Sequence, residues 1–161
     1  MSRMLTALGG REDLNRMALA FVLTARGIPQ VFYGTEILMS NPGTEDHGVI
    51  RSDFPGGWPG DRRNAFAGQG LSDAEAAMQD HVRRLLLWRR GASALHGGRF
   101  THYVPTEGLY VYFRHNDAQK IMVDLLAQAT EDANRLTIIR FSGTADVVLD
   151  REAIASAPGA L

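Results

Sequence analysis

The stretch Gly27-Ile28-Pro29-Gln30-Val31-Phe32-Tyr33-Gly34-Thr35-Glu36 constrains this chain more than any other. Ile28 to Tyr33 is a short apolar run, β-branched and aromatic, without the alternation of a half-exposed strand. Such a run predicts a strand covered on both faces, as in a parallel sheet. Pro29 is tolerable only near its start, because proline donates no ladder hydrogen bond. Gly34 lets the backbone turn, and Thr35-Glu36 set a hydroxyl and a carboxylate at the C-terminal end of the strand. In barrels of parallel strands that end carries the functional loops.

The flanking segments fit this order. Leu14, Met17, Ala18, Phe21, Val22 and Ala25 recur at the spacing of one helical face, which predicts a helix over 12–26 stopped by Gly27. Residues 37–71 form a loop too long for an idle connection, and its aromatics argue against simple disorder. Ser72-Asp73-Ala74-Glu75 is a capping box opening a second helix, with Ala74, Met78, Val82, Leu85 and Leu86 as its apolar stripe and its end near Gly91. From residue 98 the period becomes two. Phe100, His102 and Val104 form one alternating run, and Leu109, Val111 and Phe113 another, with a hairpin at Pro105-Thr106-Glu107-Gly108. Asn116-Asp117 turns into a strand over 120–126, and 136–141 and 145–149 read as further strands. The second half is thus antiparallel β, and the boundary falls near 91–98, giving segments 1–92 and 98–161.

Composition narrows the class. The 161 residues are fewer than a closed eight-stranded α/β barrel requires, which is about 250. A 45% hydrophobic, 22% charged chain is globular, and a net charge of −1 gives no reason to expect a nucleic-acid partner. Cysteine is absent, no apolar run is long enough to span a membrane, and no apolar stretch of a signal peptide follows Met1-Ser2-Arg3. The compartment is left open. No histidine pair has ligand spacing and no calcium-loop ladder of aspartates occurs, so no metal site is expected.

At this point the residues resemble a family. Segment 28–36 is similar to the eighth barrel strand of the α-amylase superfamily of glycoside hydrolases, nearest to the neopullulanase and cyclomaltodextrinase-like enzymes that act on α-glucans. The similarity extends through Asp46 to Asp61 (DHGVIRSDFPGGWPGD), Asn64-Ala65-Phe66, Leu85 to Arg90 (LLLWRR) and Gly108 to Arg114 (GLYVYFR), and fades after about residue 125. The resemblance implies an α/β plus β fold class: the last strand-helix unit of a (β/α)8 barrel, then an antiparallel C-terminal β-sandwich-like domain. The tail from Ala155 to Leu161 does not look like a closing strand, so the last sheet is expected to be incomplete.

Retaining glycosidases need two carboxylates about 5–5.5 Å apart. In the resembled family these come from earlier barrel strands, and a third follows a histidine just before the segment that resembles Met1-Ser2-Arg3. No position here matches any of them, so no catalytic residue carries over and the isolated chain is expected to be inactive. Glu36, Asp46, Asp53 and Asp61 are expected to cap turns or to pair with Arg51, Arg62 and Arg63.

For substrate contact the candidates are Tyr33, Glu36, His47, Trp58, Asp61 and Arg62. Trp58 sits among Pro55, Gly56, Gly57, Pro59 and Gly60, off any regular element, where an indole stacks on a sugar face or plugs a gap under the loop. His47 either reaches a hydroxyl or serves a turn. Glu36 is read as a rim carboxylate holding loop amides. Arg83, Arg84, Arg89 and Arg90 spread around their helix, which is a solvated basic surface with Trp88 at the junction of the two segments. The implied partner is an α-glucan oligosaccharide, with no cofactor, nucleic acid or membrane. Self-association through the incomplete barrel is also expected. The competing function is a non-catalytic carbohydrate-binding or structural module.

Overall fold

The computed structural model describes residues 2–127, 135–142 and 145–149. The tail from Ala155 to Leu161 lies outside them. The chain divides into two compact units, Met1–Arg16 with Gln30–Val82, and Met17–Pro29 with Arg83–Leu161.

Five helices and five strands are described: α1 (Met4–Ala7), α2 (Glu12–Thr24), α3 (His47–Ile50), α4 (Asp73–Arg90), α5 (Ser93–Gly97), β1 (Arg99–His102), β2 (Leu109–His115), β3 (Lys120–Leu126), β4 (Arg135–Ser142) and β5 (Ala145–Leu149). Both long helices predicted from periodicity are present, and α2 and α4 each run through residues of both units. The capping box forms: the Glu75 amide donates to Ser72 Oγ at 3.3 Å and the Ser72 amide to the Glu75 carboxylate at 2.7 Å. The stripe of α4 is shifted from the expected one. Met78, Val82, Leu85 and Trp88 are buried, whereas Leu86 and Leu87 face out, 45% and 52% exposed. In the run Leu85-Leu86-Leu87 apolarity alone does not say which residue faces in, and the 3.6-residue phase set by Met78 and Val82 selects Leu85.

The strand predicted over 28–33 does not form. The backbone there has no ladder, and Ile28 is 92% exposed, Val31 40% and Phe32 46%. A parallel strand exists only through hydrogen bonds to its neighbours, and among the described residues no strand lies against this one. Apolar content without a partner leaves an exposed connection. The loop that follows is more ordered than predicted. Thr35–Ile37 and Ala65–Ala67 are 3-10 turns and His47–Ile50 is a helical turn.

In the second unit the strands form one antiparallel meander in the order β1-β2-β3-β4-β5. The β1–β2 hairpin closes on Glu107 and Gly108, both with positive φ, between Thr106 and Leu109, which exchange backbone hydrogen bonds of 3.0 and 2.8 Å. That double left-handed turn matches the twist of a hairpin and favours glycine at its second position. The β2–β3 turn is held by Asn116, whose side chain accepts from the amides of Ala118 and Gln119. A single sheet is what the described residues show; a second sheet of a sandwich is not among them.

The buried face of the sheet is not the aliphatic side of β2. Tyr112 and Arg114 are buried, in register with Val123 and Ile121 of β3, while Leu109, Val111 and Phe113 are half-buried. Phe21 of α2 meets the rings of Tyr110 and Tyr112 at 6.0 and 5.9 Å, and Phe100 meets Tyr112 at 5.4 Å. The Tyr112 hydroxyl bonds Thr24 Oγ1, which also donates to the Ala20 carbonyl. Burial pushes the Tyr112 phenol far above the usual tyrosine range, against a smaller opposing effect of the Thr24 bond.

Arg114 is the other buried polar group of this face. Its Nη1 donates to the carbonyls of Thr24 and Ala25 at the end of α2, and its Nη2 to those of Leu95 and Gly98 at α5. Arg89 reaches the Leu23 carbonyl beside them. Helix C-termini carry partial negative charge and unpaired carbonyls, so a guanidinium satisfies both needs at once. Burial holds the guanidinium pKa below its usual range, helped by the nearby charge of Arg89.

Two measurements follow from this frame. Arg114→Met is expected to lower unfolding stability in urea by about 3 kcal/mol or more, since each bond to a charged donor is worth about 1.5–3 kcal/mol and the carbonyls stay buried. Arg114→Lys should recover only part of that, because one ammonium does not span both helix ends. In amide hydrogen exchange, Gln30–Phe32 should exchange orders of magnitude faster than Leu109–Arg114, whose amides lie in a paired strand; equal protection in both would contradict the described fold.

Candidate functional site

The predicted site residues all lie in the first unit, on or before the loop 37–71. Its centre is a glycine- and proline-rich knot at 54–61. Asp61 accepts the backbone amides of Gly56 at 2.8 Å and Trp58 at 3.2 Å, while its own amide donates to the Trp58 carbonyl at 3.3 Å. One carboxylate thus fixes the turn that presents Trp58. Gly56 has φ 96°, and a side chain there would run into Asn64, whose atoms lie within 2.5–2.8 Å of the Cβ position. Trp58 is left 63% exposed.

The knot rests on a second bracket. Asn64 exchanges backbone bonds with Gln69 and its side chain caps the 3-10 turn at Ala67. The Ala65 amide donates to the Pro55 carbonyl, and Gln79 of α4 donates to the Ala65 carbonyl at 2.8 Å. Phe54 and Phe66 pack ring to ring at 4.8 Å. Arg63 donates to the Gly70 carbonyl and forms a 2.5 Å ion pair with Glu75, the capping-box residue. Partial burial pushes the Glu75 carboxyl up, but the bonds from Arg63 and Ser72 outweigh it and hold the carboxyl below its usual range.

Beside this knot opens a shallow cleft of about 210 Å³, lined by Asp53, Phe54, Pro55, Asp61, Arg62 and Arg63. It combines one aromatic face with carboxylates and guanidinium groups. Such a surface suits a polyhydroxylated ligand, which offers apolar C–H faces and hydroxyls that both give and take hydrogen bonds.

Asp61 and Arg62 therefore line one cleft, and Trp58 stands on the turn that Asp61 holds. Tyr33 approaches through its hydroxyl, which donates to the Ser52 carbonyl at 3.1 Å, next to Asp53. Glu36 and His47 are not part of the cleft lining. Glu36 is half-buried in the turn after Gly34 and, among the described residues, takes no loop amide, so the rim role expected of it is not seen. His47 is exposed in the first turn of α3, which is capped by Asp46 through the Gly48 amide at 2.6 Å. The expectation that the acids serve turns holds for Asp46 and Asp61, whereas Arg63 pairs with Glu75 and not with a loop acid. Sequence reasoning noted Asn64 only within the Asn64-Ala65-Phe66 match and gave it no role, because its bracket needs Gln69. Among the described residues no group of histidines and acids is arranged to hold a metal ion, and no helix is long and apolar enough to cross a membrane.

Comparison with known proteins bears on the same regions. Residues 100–145 match the family model of the cyclo-malto-dextrinase C-terminal domain, covering β1 to the start of β5. Among solved structures the chain is similar to the debranching enzyme of Nostoc punctiforme. One structure of it matches with TM-score 0.55 and 18% identity over 77% of this chain, and its native form with 0.56 and 19% over 78%. A third, soaked with acarbose, matches with 0.57 and 15% over 92%. The chain spans only 22% to 31% of the length of those proteins. What these likenesses show is the fold of the chain and, over residues 100–145, a β domain of the cyclo-malto-dextrinase C-terminal kind.

Removing the carboxylate that ties the knot tests its geometry. Asp61→Ala should cost no more than ~1 kcal/mol of global stability at this exposed position. It should markedly accelerate hydrogen exchange at the Gly56 and Trp58 amides and leave that of Ala65 unchanged.

Proposed function

We propose that this chain supplies the last part of the catalytic barrel (residues 1–92) and the C-terminal β domain (98–161) of a retaining glycoside hydrolase acting on α-glucans such as maltodextrin, cyclodextrin or pullulan. Residues 28–36 would become the eighth strand when neighbouring strands pair with it. The loop 37–71 would shape a sugar subsite with Trp58 as stacking platform and Asp61, Arg62 and Tyr33 as polar contacts, and Glu36 and His47 at its margin. The observation that carries this reading is Trp58, exposed yet held in place by two loop amides on one carboxylate beside a mixed aromatic and charged cleft. A residue that merely filled a gap would be buried.

The carboxylates of this chain do not act as acid and nucleophile in this reading. Asp46 and Asp61 are committed to backbone amides and Glu75 to a helix start and an arginine. The same commitment favours a second reading, a non-catalytic glucan-binding module, which differs in predicting affinity with no dependence on further chain.

The two tryptophans make the test direct, because Trp88 is 3% exposed and Trp58 is 63% exposed. Titration with maltoheptaose or β-cyclodextrin should change Trp58 emission saturably. Trp58→Ala should weaken binding, followed by calorimetry, by roughly two- to twelve-fold, the equivalent of about 0.5–1.5 kcal/mol for one stacking contact. No release of reducing sugar above a blank is expected from the chain by itself. Hydrolysis that disappears in Asp61→Asn would overturn the assignment of its acids, and unchanged affinity in Trp58→Ala would remove the platform.

A further inference from the structure

Arg3 has a buried charge that its own unit only partly satisfies. It precedes α1, is 3% exposed, and its amide donates to Asn41 Oδ1 at 2.7 Å. Its Nη1 donates to the Tyr33 carbonyl at 2.8 Å. The rings of Phe32 and Tyr33, 4.6 Å apart, both lie on one side of the guanidinium carbon, at 4.9 and 5.1 Å. Its Nε and Nη2 are buried and have no partner among the described residues. Arg114, in the other unit, has only Nε unpaired and places its remaining donors on carbonyls at two helix ends. A buried cation without a counter-charge or full hydrogen bonding is strongly disfavoured.

The two orphaned groups are not scattered. Nε–H and one N–H of Nη2 point the same way along a single edge of the planar guanidinium, spaced to meet both oxygens of one carboxylate. We propose that this edge of Arg3 is a binding site for a carboxylate. The carboxylate comes from an acidic side chain of a polypeptide element packing against Gln30–Tyr33, or from a free carboxylic acid. Two side chains against the guanidinium are themselves partly open to solvent, Phe32 46% and Tyr33 38% exposed, and the backbone of Gln30 to Phe32 is outside any sheet ladder. A tetrahedral oxyanion fits less well, since its remaining oxygens need donors beyond one fork edge. The proposal concerns a charge the glucan cleft does not use, and it stands or falls apart from the sugar reading.

The test uses the whole chain, labelled with ¹⁵N. Sodium acetate replaces sodium chloride at constant ionic strength and pH 7. The Arg3 Nε–H resonance, assigned by its loss in Arg3→Met, is followed together with the melting temperature. In a second arm the probes are the blocked peptides Ac-Val-Asp-Val-NH2 and Ac-Val-Asn-Val-NH2. A saturable shift of the Arg3 Nε–H and a rise in melting temperature with acetate, the latter absent in Arg3→Met, supports the site and shows that a free carboxylate suffices. A response to the aspartate peptide alone supports it and assigns the carboxylate to a polypeptide. No response to either probe overturns the proposal. So does a response equal for the two peptides without one to acetate, or a melting shift retained in the variant. Arg3→Lys keeps the charge but lacks the fork; it substitutes where Arg3→Met does not fold, and it too should lose the melting response.

Discussion

The second unit turns on a cation without a carboxylate. Arg114 lies on the buried face of β2 and gives its protons to the last carbonyls of α2 and to those around α5. Three separate chain segments thereby converge on one planar group. The carbonyls it binds have no amide left to take, since a helix always ends with unpaired acceptors. Without the guanidinium, ending two helices against an apolar sheet would bury those acceptors unsatisfied. The aromatic cluster of Phe21, Phe100, Tyr110 and Tyr112 packs on the same side of the sheet, with Tyr112 its buried member.

The first unit solves the converse problem with side-chain acceptors, most of them carboxylates. Its loop carries many backbone amides that no sheet or helix takes up. Asp46, Asp61, Asn64 and Glu75 each accept such amides and so convert a long connection into a series of small closed rings. Trp58 is held outward as a by-product of one of these rings.

What was legible in the sequence is what is decided locally. The presence of α2, the Ser72–Glu75 box, the Glu107-Gly108 turn and the Asn116 turn all depend on residues within a few positions of one another, whereas the predicted face of α2 is not the buried one: Leu19, Ala20 and Leu23 are buried and Phe21 is 38% exposed. The failures come from partners far along the chain or outside it. Residues 28–33 have the composition of a central strand, yet among the described residues no strand lies beside them, so composition could not deliver the structure. In β2 hydropathy favours Leu109, Val111 and Phe113, but the buried side is that of Tyr112 and Arg114, because helix ends and a threonine hydroxyl wait there. Trp58 was singled out by the density of glycine and proline around it, and the structure leaves it exposed. Arg3 was not, since nothing near a lone arginine says that it will be buried.

Glu75 has a position with evolutionary weight. It begins α4, through Ser72, and it anchors Arg63, which in turn holds the Gly70 carbonyl. The chain between Arg63 and Glu75 is thus a ring of set circumference, further narrowed by the Asn64–Gln69 bridge. An inserted or deleted residue inside it would break the ion pair or the helix start. The exposed tip at Gly57–Gly60 has turn bonds of its own, the Gly57 amide on the Phe54 carbonyl and those of Asp61, but none of them ties it to a helix start. Length variation among related chains should accordingly gather at the tip and spare the ring, so that the segment which presents a ligand can diversify while its footing stays the same length.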